Sequence, residues 1–360
     1  MKICLIGKNL SNFVLASDLI NKNLDVDIIY NLEPKKNKTR TLAISNDNFN
    51  FLVKIDKKIK LSSWPVSAIK IFNEKKNELF HFENKNENIF FLVNYNHIYD
   101  KFYNILKNSK KIKIKKLKNK ITENYLLNEK NYKLVINSDK SCEINKRLFY
   151  KKIKKSYDSF AYTTIAKHKK IKNKVAFQIF TNSGPLAFLP LSMNKTSIVF
   201  SVLNKNKKSE NQISELVKKY NFHYDIESFS KFEKFKLNFS MLRKYYFKNI
   251  LSFGDLLHTI HPMAGQGFNM TIRDVRILSN LIENKLDIGL DLDSSILEEF
   301  QSKTKHLNFI FGSGVDCIHN FFIFDNKVKN NLSIPLFNFL EKNKYLNKYA
   351  TFFANKGLVV

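Results

Sequence analysis

Asp255, Gly265 and Gly267 are the residues whose types and spacing could do chemistry. They stand in the run from Asn249 to Leu286. Ile250 to Phe253 is a short apolar run that reads as a buried strand, and it ends at Gly254-Asp255. A loop follows, with Pro262 and then Ala264-Gly265-Gln266-Gly267. From Phe268 the apolar residues Ile272, Val275 and Ile282 recur at helical spacing. The order is therefore strand, acidic turn, glycine loop, helix. A carboxylate at a strand end accepts hydrogen bonds from sugar-like hydroxyls. Paired glycines let a backbone approach a bulky ligand. A helix start offers free N–H groups and partial positive charge to an anion such as a pyrophosphate. An ordinary strand-to-helix turn uses the same residue types, so spacing alone leaves both readings open.

The elements needed to position these residues begin at the amino end. Ile3 to Ile6 predicts a first strand, Phe13, Ala16 and Ile20 a helix, and Val26 to Tyr30 a second strand. This is the opening of a βαβ dinucleotide fold. Its glycine fingerprint would need Gly at 7, 9 and 12, and the chain has Gly7, Asn9 and Asn12. Asn tolerates left-handed backbone angles, so Asn9 is expected to keep the turn. The acidic residue expected at the end of the second strand is replaced by Tyr30.

Farther on, Ile98 to Leu106 predicts a helix, and Ile112, Ile114 and Leu117 a strand with a solvated lysine face. Tyr125 to Leu127 and Tyr132 to Ile136 are expected to form a hairpin. From Ala161 to Val202, alternating apolar runs separated by turn residues predict an antiparallel sheet. Lys207 to Lys219 predicts a polar helix. After Asn284 two helices are expected, through Phe311 and through Phe324, with further helices at the end.

Composition bounds the function class. At 360 residues and 44% hydrophobic content, the chain can build one large or two moderate domains. Cys4, Cys142 and Cys317 are odd in number and widely spaced. They suggest neither a disulfide framework nor a metal site, and point to a reducing compartment. No signal peptide or membrane span is expected, because Phe309 to Phe324 is interrupted by Asp316 and His319. The net charge of +29 is spread along the chain and carries no aromatic-basic recognition motif, so no nucleic-acid partner is expected. A basic surface could still favour an anionic membrane.

The segment G-D-L-L-H-T-I-H-P-M-A-G-Q-G-F-N-M-T-I-R-D-V resembles the second flavin-binding motif of class A flavoprotein monooxygenases. Within that class it is most similar to the ubiquinone-biosynthesis aromatic-ring hydroxylases, of the para-hydroxybenzoate hydroxylase fold. Leu256-Leu257 and Thr271 depart from two alanines and a glycine in the family's version. Thr39 to Ser45, containing Arg40, resembles the family's R-x-x-A-L-S run. Gly184 to Leu191 resembles its G-P-L-A-x-L-P-L. Of the family's A-D-G-x-x-S, only Asp139 survives, with Lys140 for the glycine and Glu143 for the serine.

The resemblance implies an α/β fold. A Rossmann-like FAD-binding domain of glutathione-reductase type would span residues 1–62, 94–160 and 246–325. An inserted antiparallel substrate domain would span 63–93 and 161–245, and C-terminal helices 326–360. It implies FAD bound by Gly7, Asn9, Asn12, Arg40, Asp139, Gly254, Asp255, Pro262, Ala264, Gly265, Gln266 and Gly267. Asp255 would hold the ribityl chain. Phe177, Phe180, Phe188, Leu189 and His261 could line a substrate pocket.

The activity it implies is hydroxylation of a polyprenyl-phenol in ubiquinone biosynthesis, using NAD(P)H and O2 through a flavin C4a-hydroperoxide. That chemistry belongs to the cofactor, so no catalytic acid or base is named. His258 and His261 could assist proton movement, although hydrogen bonding to loop carbonyls is the ordinary role of such a histidine. Expected partners are the prenylated phenol, other quinone-biosynthesis proteins and an anionic membrane surface. The expected location is cytoplasmic, with peripheral contact at the inner face of the cytoplasmic membrane. The losses at Asn9, Asn12, Tyr30 and Lys140 motivate an alternative, a flavin-poor scaffold in a quinone-biosynthesis complex. Another class A flavoenzyme, such as a polyprenyl reductase, is the third reading.

Overall fold

The computed structural model describes residues 2–34, 38–83, 87–117, 123–128, 130–204, 208–262 and 265–328. Lys2–Ile6 (β1), Leu10–Asn21 (α1) and Asp25–Tyr30 (β2) open the chain as a βαβ unit. Thr41–Ser45 (β3) and Asn46–Ile55 (α2) follow. Ser63–Val66 (β4), Ala68–Asn73 (β5), Glu78–Glu83 (β6) and Phe90–Asn94 (β7) come next. Then Tyr95–Lys107 (α3), Ile112–Lys116 (β8), Glu123–Leu127 (α4), Leu134–Asn137 (β9) and Ile144–Arg147 (α5) lead out of the first half. The second half is strand-rich: Lys152–His168 (β10), Val175–Thr181 (β11), Gly184–Ser192 (β12) and Lys195–Leu203 (β13). After Glu210–Tyr220 (α6) come Ile226–Phe229 (β14), Glu233–Leu242 (β15), Tyr246–Phe247 (β16), Ile250–Ser252 (β17) and His258–Thr259 (β18). Gln266–Asp287 (α7) and Ser295–Val328 (α8) close the described chain.

Among the described residues there are three sheets. The first has the order β16-β17-β9-β1-β2-β8, parallel except for the β16–β17 pair. Its inner strands are buried on both faces, which is why Ile3 to Ile6 and Leu134 to Ile136 are unbroken apolar runs rather than alternating ones. Helices α1, α3 and α7 supply Phe13, Phe102, Ile272 and Val275 to the same core. Each such side chain, fully buried, contributes roughly 1.5–3 kcal/mol. The second sheet has nine strands in the order β18-β15-β10-β13-β12-β11-β5-β6, with β14 beside β10. It is antiparallel apart from the β11–β5 pair. A small sheet, β3-β7-β4, is the third.

Two expectations are corrected. Tyr125 to Ile136 is not a hairpin: its first half is α4, and Leu134–Asn137 is β9, a central parallel strand between β1 and β17. A fully buried strand and one arm of a hairpin have the same short apolar signature, and only pairing separates them. The two helices expected after α7 are one, α8, of 34 residues. Gly312 does not break it, because the missing Cβ lets the helix press onto β15: a Cβ there would meet Met241 Cε at 1.9 Å and Ile260 Cγ2 at 3.3 Å. The segment expected as C-terminal helices, 326–360, lies outside the described residues except for the end of α8.

Candidate functional site

β1, β9 and β17 are neighbours in the parallel sheet, and the residues after their carboxyl ends meet in one crease. Gly7 follows β1, Ser138-Asp139-Lys140 follow β9, and Gly254-Asp255 follow β17. A crease at the carboxyl ends of parallel strands is where ligands bind in open α/β sheets. Gly7 adopts φ +113°, and a Cβ on it would fall 3.2 Å from Asp139 Cβ, so these two strand ends are in contact. Lys140 Nζ lies 3.3 Å from Asp255 Oδ2. Asp255 is densely surrounded, yet 53% of its side chain is exposed, which places it at the floor of an open crease. Desolvation there pushes its pKa up, but the charges of Lys140, Arg40 and His258 and the hydrogen bond from Lys140 outweigh it. The carboxyl therefore titrates below the usual carboxylate range.

The far wall of the crease is the start of α7. Gly265 is its N-cap in the left-handed region, φ +66°, and a Cβ there would meet Ala43 Cβ at 3.0 Å and Ala43 N at 3.1 Å. Gln266 and Gly267 form the first turn, and Gly265 N–H donates to the Pro262 carbonyl at 3.4 Å. Asn269, one turn in, fastens this wall to β3: its Nδ2 donates to the Ala43 carbonyl at 2.8 Å and its Oδ1 accepts from Ser45 N–H at 2.9 Å. Arg40, just before β3, lies over the Tyr95 ring at 4.4 Å. The structure thus brings Gly7, Asn9 and Asp139 together and sets Asp255 among Lys140 and Arg40, while Gly265 lies against Ala43, and Asn12 is fully buried with its amide donating to the Ile6 and Gly7 carbonyls. Ala264 lies outside the described residues. The Asp139 carboxylate is turned to its own loop, where it accepts from Ser141 N–H at 2.8 Å and Ser141 Oγ at 2.7 Å.

Asn9 departs from its expectation. It is extended (φ −142°, ψ 167°), not left-handed, and it caps α1 through its side chain. Gly7 takes the left-handed turn instead.

The five proposed pocket residues are not brought together. Phe177 and Phe188 pair across β11 and β12 and pack with Phe72 and Tyr224 on the sheet face covered by α6. Phe180, three residues from Phe177 along the strand, falls on the opposite face and packs with Leu79. Leu189 lies beside Ala43, Val66, Phe90 and Ala176, on the side toward β3. His261 sits next to Pro262, buried to 1% exposure, with no hydrogen-bond partner at either ring nitrogen. Its ring stacks on His319 at 4.1 Å and meets the Tyr157 ring edge-on at 5.2 Å. Burial holds both imidazoles below their ordinary pKa, with His319 at about 4. His258 is committed to structure: its Nε2 is 2.9 Å from the buried carboxylate of Asp274, which also accepts from Asn308. Asn269, Tyr95, Tyr157 and His319 were not singled out in the sequence. Only Asn269 had a signal there, as the Asn of G-Q-G-F-N.

The chain is similar to known flavin-dependent proteins in sequence and in fold. Residues 156–287 match the FAD binding domain family. The ubiquinone biosynthesis monooxygenase COQ6 of Dictyostelium discoideum is 34% identical over 94 residues, 26% of this chain and 19% of that protein. The 3-demethoxyubiquinol 3-hydroxylase of Escherichia coli is 31% identical over 151 residues, 40% of this chain and 38% of that protein. In each of these relatives the matched stretch is less than half of the relative's own length. Among solved structures, p-nitrophenol 4-monooxygenase PnpA from Pseudomonas putida superposes with a TM-score of 0.79 over 99% of this chain and 98% of its own, at 11% identity. The probable FAD-dependent monooxygenase pqsL from Pseudomonas aeruginosa gives 0.73 over 91% and 97%, at 12% identity. The chain therefore has the fold of the FAD-dependent monooxygenases, matches the FAD binding domain family over residues 156–287, and counts ubiquinone-biosynthesis monooxygenases among its homologues.

Proposed function

We propose that this protein is an FAD-dependent hydroxylase acting on the aromatic ring of a polyprenylated phenol in ubiquinone biosynthesis, with NAD(P)H as reductant and O2 as co-substrate. One observation carries the reading: Asp255, half-exposed after β17, is held among Lys140 and Arg40, and close by in the chain Gly265 opens α7 against Ala43 of β3. A carboxylate held ionised suits the hydroxyls of a ribityl chain. The left-handed Gly265, its missing Cβ aimed at Ala43, lets the start of α7 pack closely against β3. The first turn of α7 directs N–H groups and partial positive charge toward an electron-rich ligand. The flavin end of FAD fits these residues. Bound there and reduced, it would activate O2, from which the transferred oxygen atom comes.

The chain's own residues do the rest. Asp255 and Arg40 orient the cofactor, and Asn269 keeps the two walls of the crease in register. Ala43, Ala176 and Leu189 offer an apolar lining that keeps water from the reacting centre. Leu189, and separately His261 beside Pro262, are retained as substrate-pocket residues. Phe180, on the same sheet face but farther off, is a weaker candidate. The sheets support a division into a cofactor domain (1–62, 94–160, 246–325) and a substrate domain (63–93, 161–245). Among the described residues no helix is long and apolar enough to cross a membrane. The proposed contact with an anionic bilayer is peripheral and rests on the net charge of +29. The intact Asp255 side of the crease speaks against a scaffold without flavin.

The test is an absorbance spectrum of the purified protein before and after added FAD, followed by product analysis with a prenylated phenol, NADH or NADPH, and O2. Flavin uptake and a new ring hydroxyl are expected. Flavin uptake with reduction of the prenyl chain and no hydroxylation would instead identify a reductase.

A further inference from the structure

The adenosine half of the crease is built differently from the flavin half. In the glycine-fingerprint fold, the turn after β1 stays empty so that a pyrophosphate can lie on the free N–H groups of α1, and an acidic residue after β2 takes the ribose hydroxyls. Here both places are occupied by the chain itself. Asn9 Oδ1 accepts from Asn12 N–H at 3.1 Å, and Asn9 Nδ2 donates to Ser138 Oγ at 2.7 Å. Its amide therefore bridges the ends of β1 and β9, and it fills the space over Gly7, where a Cβ would fall 2.9 Å from Asn9 Nδ2. Beyond β2, Glu33 stands three residues after Tyr30 and is already engaged. It accepts from Lys8 Nζ at 2.9 Å and from Tyr30 Oη at 3.0 Å, and Lys8 is clasped between the Tyr30 and Tyr103 rings at 4.8 and 4.9 Å.

We infer that this chain holds its flavin through the isoalloxazine ring and ribityl chain at Asp255 and Gly265, and draws little affinity from the adenosine half, with Asn9 and the Lys8–Glu33 pair as the residues that close that half. Each internal hydrogen bond at Asn9, Lys8 and Glu33 would have to break before a phosphate or ribose could replace it, so the exchange gains little. The inference rests on the flavin-site reading above and concerns how affinity is divided along the cofactor.

Its test is equilibrium binding of FMN and of FAD to the full-length protein stripped of flavin, read by quenching of flavin fluorescence. FMN and FAD are expected to bind within about tenfold of each other. FAD binding about a hundredfold or more tighter than FMN would overturn the inference while leaving the flavin site standing. Binding of neither flavin would overturn both. Asn9→Gly keeps a residue that helix N-caps accept at a cost of only a few tenths of a kcal/mol, so the variant is expected to fold. It should raise the preference for FAD over FMN about fivefold or more. An unchanged ratio would remove Asn9 from the account.

Discussion

Lys140 Nζ lies 3.3 Å from Asp255 Oδ2 across the floor of the crease, joining the strand end after β9 to the one after β17. Lys140 occupies a position that is glycine in the family motif, so this pair belongs to this chain's version of the site. Both side chains are more than half exposed, and a solvated pair of that kind contributes between about 0 and 1 kcal/mol to folding. Its larger effect is on the proton of Asp255. Lys140→Ala should leave the urea midpoint nearly unchanged while moving the Asp255 titration, read by carboxyl carbon NMR, upward toward its ordinary value. The Asp255 pKa is depressed in the folded state, so what stability it gives is present above the unfolded carboxylate pKa and is lost as pH falls through the folded one. In Lys140→Ala that acid-dependent loss should shrink, because the folded pKa moves up toward the unfolded one.

Asn269 is the joint between the two walls. It serves the Ala43 carbonyl, the Ser45 N–H and the Asn48 amide from a side chain that is almost fully buried. Asn269→Ala strands those groups without water, and a buried unsatisfied polar group costs about 1–3 kcal/mol. We expect a loss of about 2–4 kcal/mol in urea unfolding together with weaker flavin uptake, because Gly265 no longer sits against a fixed Ala43. Asn269→Asp keeps the acceptor for Ser45 N–H and should lose less.

His261 and His319 are buried as neutral imidazoles. The charged and titratable groups around them are Tyr157, whose pKa burial raises, and the Asp316–Lys155 ion pair at 3.0 Å. The His319 pKa is depressed to about 4, first by burial, with Asp316 opposing and Lys155 assisting. A histidine with a lowered folded pKa takes up its proton in the unfolded chain first. Stability is therefore full above the unfolded pKa near 6.5 and declines as pH falls from there toward 4, by up to about 1.4 kcal/mol per pH unit per histidine. His319→Phe should flatten this decline by about one proton, measured as the pH dependence of the urea midpoint. An unaltered slope would mean that His319 is protonated in the fold.

Much of the site was legible because glycine, proline and carboxylate positions are fixed by backbone geometry and ligand approach, which sequence spacing records. The strand, turn and helix order around Asp255 and Gly265 followed directly from such spacing. The role of Asn9 was not legible. The residue type tolerates the left-handed angle, but the structure uses its amide as a helix cap and strand bridge, which depends on Ser138, far along the chain. Glu33 was passed over for a similar reason: its partner Lys8 is 25 residues away. Phe177, Phe180, Phe188 and Leu189 could have been separated from the sequence alone. Side chains alternate along a strand, so 177 and 180, and likewise 188 and 189, must face opposite sides. The β9 strand was misplaced because burial on both faces erases the alternation that marks a strand in isolation.

The central claim is that Asp255 anchors a flavin, and the most direct measurement is an FAD titration of the intact protein and of Asp255→Ala, followed by flavin fluorescence and absorbance. The account predicts saturable uptake by the native chain and a loss of affinity of about a hundredfold or more in the variant, with its urea midpoint little changed because residue 255 is half-exposed. Equal uptake by both proteins, or none by the folded native chain at saturating FAD, would contradict it.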